Sequence, residues 1–492
     1  MAAVHSGAFV RARGDEIRRF LANQRAQPWL PLAGIAVLGV VFGSVIATSE
    51  LNALYLCAAI ISCAFILYDF RIGVVLLVVL MPVSGSVVFP HEMFGVTGLN
   101  PLNLLLLATL GSYLLRGLFD GSLSRFVPQP LLWLYVVPII VAGAMGSRHV
   151  DDIVPVYYMR KMLEFNNAAG YLRDLVLKPL LLVVFALLVG AAVARSARPE
   201  RFLAPTLVSI WAMGWLVLVF VYLFGTGLGE MASSTSREFL SALGMHANEL
   251  GRLYAIAYAL LLFTWAESKQ FGLRLVLLAS MGLVVAALVL TFSRGAFVGL
   301  IVVNLLFLVW HRNARALIFL GLVAAMVPFV LPDAVYDRVT TGFAGGLNAI
   351  SAGRIDGLWL PLLPEVGRNP IFGSGLGSIL WSNAVRTAGG ATVLETTHPH
   401  NAYLQALLDM GIVGLILVCT FFALVWRDFR VMSRDTTLNP TLRGFCEGAA
   451  AGLLSFLIAS VTDGSLTPRP EQSFLWLAIG MMYGLRAKRG VR

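Results

Sequence analysis

Long apolar blocks separated by short polar stretches run through almost the whole chain. Each block holds about 18 to 22 residues, the length at which an α-helix crosses the roughly 30 Å hydrocarbon core of a bilayer. A helix also satisfies its own backbone in lipid, which a lone strand does not. The blocks fall at about 30–48, 52–68, 72–90, 101–118, 129–147, 175–194, 202–225, 251–266, 275–292, 295–311, 316–331, 402–425, 444–462 and 472–486. The eighth is short, and the third contains Pro82 and Gly85. The pattern therefore predicts an all-α polytopic membrane protein with about 12–14 transmembrane helices and one large, partly helical loop. It divides the chain into a basic arm (1–28), eleven helices (29–330), the loop (331–401), three helices (402–486) and a short tail (487–492).

Composition agrees. Of 492 residues, 58% are hydrophobic and 13% charged, against nearer half and a quarter in soluble domains. The formal charge of +10 would suggest nucleic acid in a soluble protein. Here it follows from topology, because cytoplasmic loops of membrane proteins collect Lys and Arg. Placing the amino terminus inside puts about 23 of the 36 basic residues in cytoplasmic segments. Both termini are then cytoplasmic and no nucleic-acid partner is implied. The basic arm before the first block is long and lacks a clear small-residue cleavage site, so that block reads as a retained anchor. Cys57, Cys63, Cys419 and Cys446 fall in or beside apolar blocks, without disulfide or metal spacing.

Four sizeable segments then lie outside, in the periplasm of a Gram-negative cell: 91–100, 148–174, 226–250 and 331–401. The last is far longer than an ordinary connection. It carries Trp359, Leu362, Ile371, Leu376 and Trp381, a composition that argues for order. Ser351 is placed to cap a helix running through Arg354 and ending near Pro361 or Gly367.

His398, His400 and Asn401 stand where this loop meets the twelfth block. Histidine exchanges its proton nearest neutral pH, so either ring suits a general base. A local hydrogen bond or a thin metal site with Glu395 are the competing readings. Arg294, at the turn between two spans, is either a snorkelling arginine or a guanidinium aimed at phosphate. Arg354 is either salt-bridged to Asp356 or functional. Arg173 and Lys178 flank or enter the sixth block, where an ionisable group is a functional candidate. Arg252 opens the eighth block within reach of Glu249. Asp409 lies nine residues after His400, roughly half a turn round a regular helix, so it serves a neighbouring span rather than His400. Gly373-Ser-Gly375-Leu-Gly377 lacks the Lys-Ser/Thr ending of a P-loop and reads as a tight turn.

Ser293-Arg294-Gly295, Arg354 with Leu358-Trp359, Asn369-Pro370, the glycine-rich run, His398-Pro-His400-Asn401-Ala-Tyr403-Leu404 and Gly411–Gly414 occur in one order over about 275–425. This pattern resembles the bacterial O-antigen ligase and O-antigen polymerase superfamily of membrane glycosyltransferases. The resemblance implies a metal-independent inverting glycosyltransferase without a cofactor. Its donor would be an undecaprenyl-pyrophosphate-linked glycan at the periplasmic face of the inner membrane. The acceptor would be lipid A–core in a ligase, a lipid-linked repeat unit in a polymerase, or a protein in an O-oligosaccharyltransferase branch. Arg294 and Arg354 would hold the pyrophosphate, and His400 would be the base with His398 second. Two departures stand out: fourteen spans exceed the twelve of the ligases, and Asp409 replaces an expected glutamate. A lipid-linked glycan flippase, the alternative from another class, would spread charges through the membrane depth and show inverted repeats; a scaffold role would need none of these charges.

Overall fold

The computed structural model describes residues 51–119 apart from 88, 91, 94 and 95, then 127–224, 240–312, 318, 321, 322, 346, 348, 351, 353–386 and 396–490. The basic arm, the first block, most of the 316–331 block, residues 225–239, Glu395 and much of the first part of the long loop lie outside the described residues.

Among the described residues, seven helices are long and apolar enough to cross a membrane: Pro101–Phe119, Gln129–Asp152, Ala168–Ala194, Pro199–Phe224, Phe271–Val289, Ala402–Ser433 and Pro440–Ala459. Leu54–Tyr68, Phe70–Leu80 and Arg294–Trp310 are apolar but shorter. Two more helices, Ala247–Glu267 and Ser473–Lys488, are buried on nearly every side. A helix buried all round belongs at the centre of a bundle. The one sheet among the described residues pairs Glu92–Met93 with Val96–Thr97. The protein is an all-α polytopic membrane protein.

The third block departs from expectation. Its helix is Phe70–Leu80, 11 residues, which rises about 16 Å and crosses only about half the hydrocarbon core. Pro82 has no N–H to continue the ladder, and a 3₁₀ turn at Val83–Gly85 follows.

Helices at the centre touch backbone to backbone. A Cβ on Gly448 would lie 2.5 Å from the Ala259 carbonyl oxygen, and one on Gly444 2.4 Å from that of Phe263. Gly480 and Gly484 stand equally close to Ala186 and Gly190. In lipid, where apolar burial between helices gains little, small residues drive association through such close packing.

The two ends of the bundle differ in charge chemistry. At one end Arg430 pairs with Glu447 at 3.0 Å, Arg443 with Glu267 at 2.9 Å, Arg486 with Asp428 and Arg489 with Asp435. Lys488 Nζ donates to the Ser196 carbonyl at 2.7 Å. At the other end lie the two histidines and the loop.

That loop is joined to the Ala402–Ser433 helix by main-chain bonds. The helix is interrupted at Gly411 (φ 64°, ψ −172°). Ile412 and Val413 N–H donate to the carbonyls of Pro370 and Ile371, while Ser374 and Gly375 N–H donate to those of Leu408 and Asp409. A Cβ on Gly375 (φ 97°) would fall 2.3 Å from the Gly146 nitrogen, so the glycine-rich run is the close-packed turn expected. Asp409 accepts from Ser378 N at 3.0 Å and Ser378 Oγ at 2.9 Å. This corrects the expectation that it serves a neighbouring span: its partner is the loop.

Gly448→Ala should lower stability by about 1–3 kcal/mol, because the added methyl meets a main-chain oxygen that cannot step aside. Gly452→Ala, whose Cβ would meet Ala259 Cβ at an ordinary 3.5 Å, should be nearly neutral. Melting of the two purified variants in detergent checks the difference.

Candidate functional site

The site is built around a carboxylate. Asp463 lies in the turn between Pro440–Ala459 and the 3₁₀ turn Pro470–Gln472, and is 9% exposed. A buried carboxylate needs partners for both oxygens. Oδ1 accepts from His400 Nδ1 at 3.0 Å and from Gly464 N–H at 2.9 Å. Oδ2 accepts from Asn248 Nδ2 at 2.6 Å and faces Arg252 Nη1 at 3.3 Å. Asn248 in turn accepts from Ser293 Oγ at 2.9 Å, and Ser293 caps the Arg294–Trp310 helix through Ala296 N–H. One hydrogen-bonded path thus runs from the Arg294 turn to the His400 ring.

His400 has φ 50°. The left-handed region is uncommon for non-glycine residues, though histidine enters it more readily than most. The residue after it, Asn401, is the N-cap of Ala402–Ser433, its oxygen accepting from Tyr403 and Leu404 N–H at 3.1 and 3.0 Å. The start of that helix is tied to the Asp463 turn by Ala402 N–H on the Ser460 carbonyl at 2.9 Å. His398 packs against His400 with ring centroids 4.1 Å apart, and its Nε2 is 3.9 Å from Asp463 Oδ1.

Positive charge surrounds these groups. Arg252, 4% exposed, pairs with Glu471 at 3.2 Å as well as with Asp463. Arg354 Nη1 donates to the Thr462 carbonyl. The Arg294–Gly295 turn faces the same place: a Cβ on Gly295 would lie 4.0 Å from Thr462 Oγ1. Burial would raise the Asp463 carboxyl, but the His400 hydrogen bond and the Arg252 and Arg354 charges outweigh it and hold the carboxyl well below the usual carboxylate range. Desolvation of the His398 ring, with His400, Arg469 and Arg252 adding and Asp463 opposing, pushes its pKa down to about 3. His398 therefore stays neutral.

An ionised Asp463 accepts Nδ1–H of His400. That fixes the tautomer and leaves the Nε2 lone pair open to take a proton. His398, His400 and Asp463 also offer one ligand atom each within 4.8 Å, an N₂O set that a divalent cation accepts. The neighbouring guanidiniums oppose a second dipositive charge there. A second such group, Glu267, His311 and Glu447, lies at the far end, where Arg430 and Arg443 already neutralise its carboxylates.

The structure therefore brings His398, His400, Arg252, Arg354 and the Arg294 turn together around one carboxylate. Arg173 and Lys178 are elsewhere: both pair with Asp174, at 2.9 and 2.8 Å, and Lys178 also with Glu164. Asn401 caps the helix through its side-chain oxygen. Arg252 pairs with Asp463 and Glu471, not in a bridge to Glu249, which caps its own helix through His246 N–H. Asp356 accepts from Asn348, and Arg354 reaches Thr462 instead. Asp463, Asn248 and Glu471 were not foreseen. A carboxylate at the mouth of the thirteenth span, on the same side as the histidines, was the available signal.

Asp463→Ala should cost about 3–5 kcal/mol, since it leaves the buried Arg252 with one partner fewer. The folded carboxyl titrates far below its unfolded value near 3.9, so the stabilisation is complete above that value and is lost as pH falls further. The difference in melting between wild type and variant should hold steady down to about pH 5 and shrink below about pH 4.

Residues 279–419 match the family model described as O-antigen ligase. The chain is also 27% identical over 243 residues to an O-antigen ligase of Pseudomonas aeruginosa, which covers 47% of this chain and 53% of that protein. The chain thus spans about half the length of the curated relative it matches. The matched stretch 279–419 holds Arg294, Arg354, His398 and His400, and both findings make the chain similar to O-antigen ligases.

Proposed function

We propose that the protein is an inverting glycosyltransferase that moves a glycan from undecaprenyl pyrophosphate to a hydroxyl acceptor at the periplasmic face of the inner membrane. The observation that carries this reading is the His400–Asp463 bond beside Arg252, Arg354 and the Arg294 turn. The acceptor hydroxyl oxygen attacks the anomeric carbon as the bond from that carbon to the pyrophosphate oxygen breaks. The pyrophosphate lipid leaves with the bonding electrons. His400 Nε2 takes the hydroxyl proton, and Asp463 stabilises the imidazolium that forms. Arg294 and Arg354 meet the charge that develops on the leaving pyrophosphate, where fixed donors are worth most. Arg252 is buried against two carboxylates, so its role is to hold Asp463 in place.

The leaving group is already activated, so no nucleotide, metal or other cofactor is required. The membrane retains the lipid tail, and the loop and the span ends bind the head. In this reading 331–401 is the periplasmic loop and both termini are cytoplasmic, in keeping with the basic residues gathered at the far end of the bundle. Lipid A–core, a lipid-linked repeat unit and a protein hydroxyl are the acceptors the resemblance offers.

His400→Ala and Arg294→Ala should insert and fold yet lose glycan transfer, and Arg354→Ala should lower the rate by about 10²–10³. Asp463→Asn should cost on the order of 10²–10⁴, with His400 then held in the wrong tautomer. Chelation should leave transfer unchanged. Unaltered glycan profiles in cells carrying His400→Ala would sink the catalytic assignment. The products separate the branches: single repeat units left on core mark a polymerase, whereas lipid-linked polymer accumulating beside bare core marks a ligase.

A further inference from the structure

At the same end of the bundle, outside the His400 cluster, lies a cavity of about 260 Å³ that none of these steps uses. Its wall is formed by the 3₁₀ turn Ser147–Asp152, the end of the Leu360–Val366 helix with the turn after it, the turn through Ser378–Trp381, and Leu408 of the Ala402–Ser433 helix. Its shape is fixed by hydrogen bonds behind the wall. Asp409 holds Ser378, Leu376 N–H donates to the Ala142 carbonyl at 3.0 Å, and Tyr171 OH donates to the Leu376 carbonyl at 2.5 Å.

The lining is chemically mixed. His149 lies nearly parallel to Trp381, with ring centroids 5.3 Å apart and planes 20° apart, which makes a flat aromatic wall. Asp152 accepts from His149 Nδ1 at 3.0 Å. Arg368 pairs with Glu365 at 3.2 Å, and Asn369 Nδ2 donates to Ser374 Oγ at 3.0 Å. Two carboxylates disfavour a phosphate or other anion. The guanidinium disfavours a cation, and the polar walls disfavour an acyl chain. A ligand suited to donors, acceptors and a flat aromatic face at once is neutral and rich in hydroxyls. Each hydroxyl both donates and accepts, and the C–H face of a sugar ring packs on an aromatic one. The volume equals about nine waters at ~30 Å³ each, room for one sugar residue with its hydration displaced.

Position links this cavity to the site. Leu408 forms part of its wall, and His400 stands eight residues before it, at the head of the same helix, a distance of about 12 Å of rise. Trp359 Nε1 donates to the Pro399 carbonyl at 2.9 Å, so the helical segment leading to Glu365 also braces the His-Pro-His turn. We propose that the cavity is a saccharide subsite, holding one neutral sugar residue of a glycan whose reacting end lies at His400. This rests on the glycosyl-transfer reading above and adds the contact that selects the sugar. The glycan is either the donor's or the acceptor's, and the chemistry is common to both.

The test uses the full chain in detergent and two phosphate-free probes: the oligosaccharide of the donor repeat unit and the core oligosaccharide. Trp381→Ala and Glu365→Gln should each weaken binding of one probe by about tenfold, the scale of one lost hydrogen bond or stacking contact. In turnover, the KM for the substrate bearing that sugar should rise by a similar factor, with kcat within about twofold. A shift confined to the donor repeat assigns the cavity to the donor, and one confined to core assigns it to the acceptor. Glu365→Gln preserves shape and keeps the test open if Trp381→Ala does not fold. In His400→Ala the loss of probe binding on Glu365→Gln should persist. Transfer that survives in His400→Ala, with probe binding still lost in Glu365→Gln, would remove the catalytic reading and leave the subsite. Wild-type binding of both probes by Glu365→Gln, or a fall in kcat with KM unchanged, would overturn the subsite.

Discussion

A carboxylate buried at the mouth of a helical bundle has to be paired on both oxygens, and Asp463 organises this end of the protein by meeting that condition. Its partners come from three separate parts of the chain: Asn248 and Arg252 at the start of one central helix, His400 at the end of the loop, and Gly464 in its own turn. Removing any of them leaves charge exposed to a poorly solvating surround. The requirement for pairing is what fixes the His400 ring, and through Asn248 and Ser293 it also fixes the turn that bears Arg294.

The arginines at this end divide by burial. Arg252 is enclosed between Asp463 and Glu471, so its charge is neutralised within the protein. Arg354 grips a main-chain carbonyl at Thr462, and its charge also acts on Asp463. Arg294 is half-buried at a helix start. At the opposite end Arg430, Arg443, Arg486 and Arg489 are each matched to a carboxylate.

Much of this was legible in the sequence, because helix length and apolar content are local properties. The spans at 101–118, 129–147, 202–225, 275–292 and 402–425 all fall on helices of the structure. His400 and Arg294 drew attention as polar residues at the edges of apolar blocks and Arg354 through the motif pattern of the loop; the structure gathers them near one carboxylate. The Phe70–Leu80 helix was misjudged in length, since hydropathy continues past Pro82 while the backbone does not. Asp463 was not legible as the partner of His400: the pair is 63 residues apart, and only tertiary packing brings two span mouths together. Asp409, nearer in sequence, drew attention that belonged to Asp463. Arg173 and Lys178 were singled out by position near a span, and the structure pairs both with Asp174, a partner one and four residues away.

The exchange of main-chain bonds around Gly411 bears on how the protein is made. The Ala402–Ser433 helix opens there, and Ile412 and Val413 find their acceptors in Pro370 and Ile371. Main-chain groups left without partners inside a bilayer are costly, so this span completes its bonding only once the loop is docked against it. Translation delivers the loop first, some thirty to forty residues ahead of the break. Order of synthesis therefore places the acceptors of Ile412 and Val413 before the span that uses them.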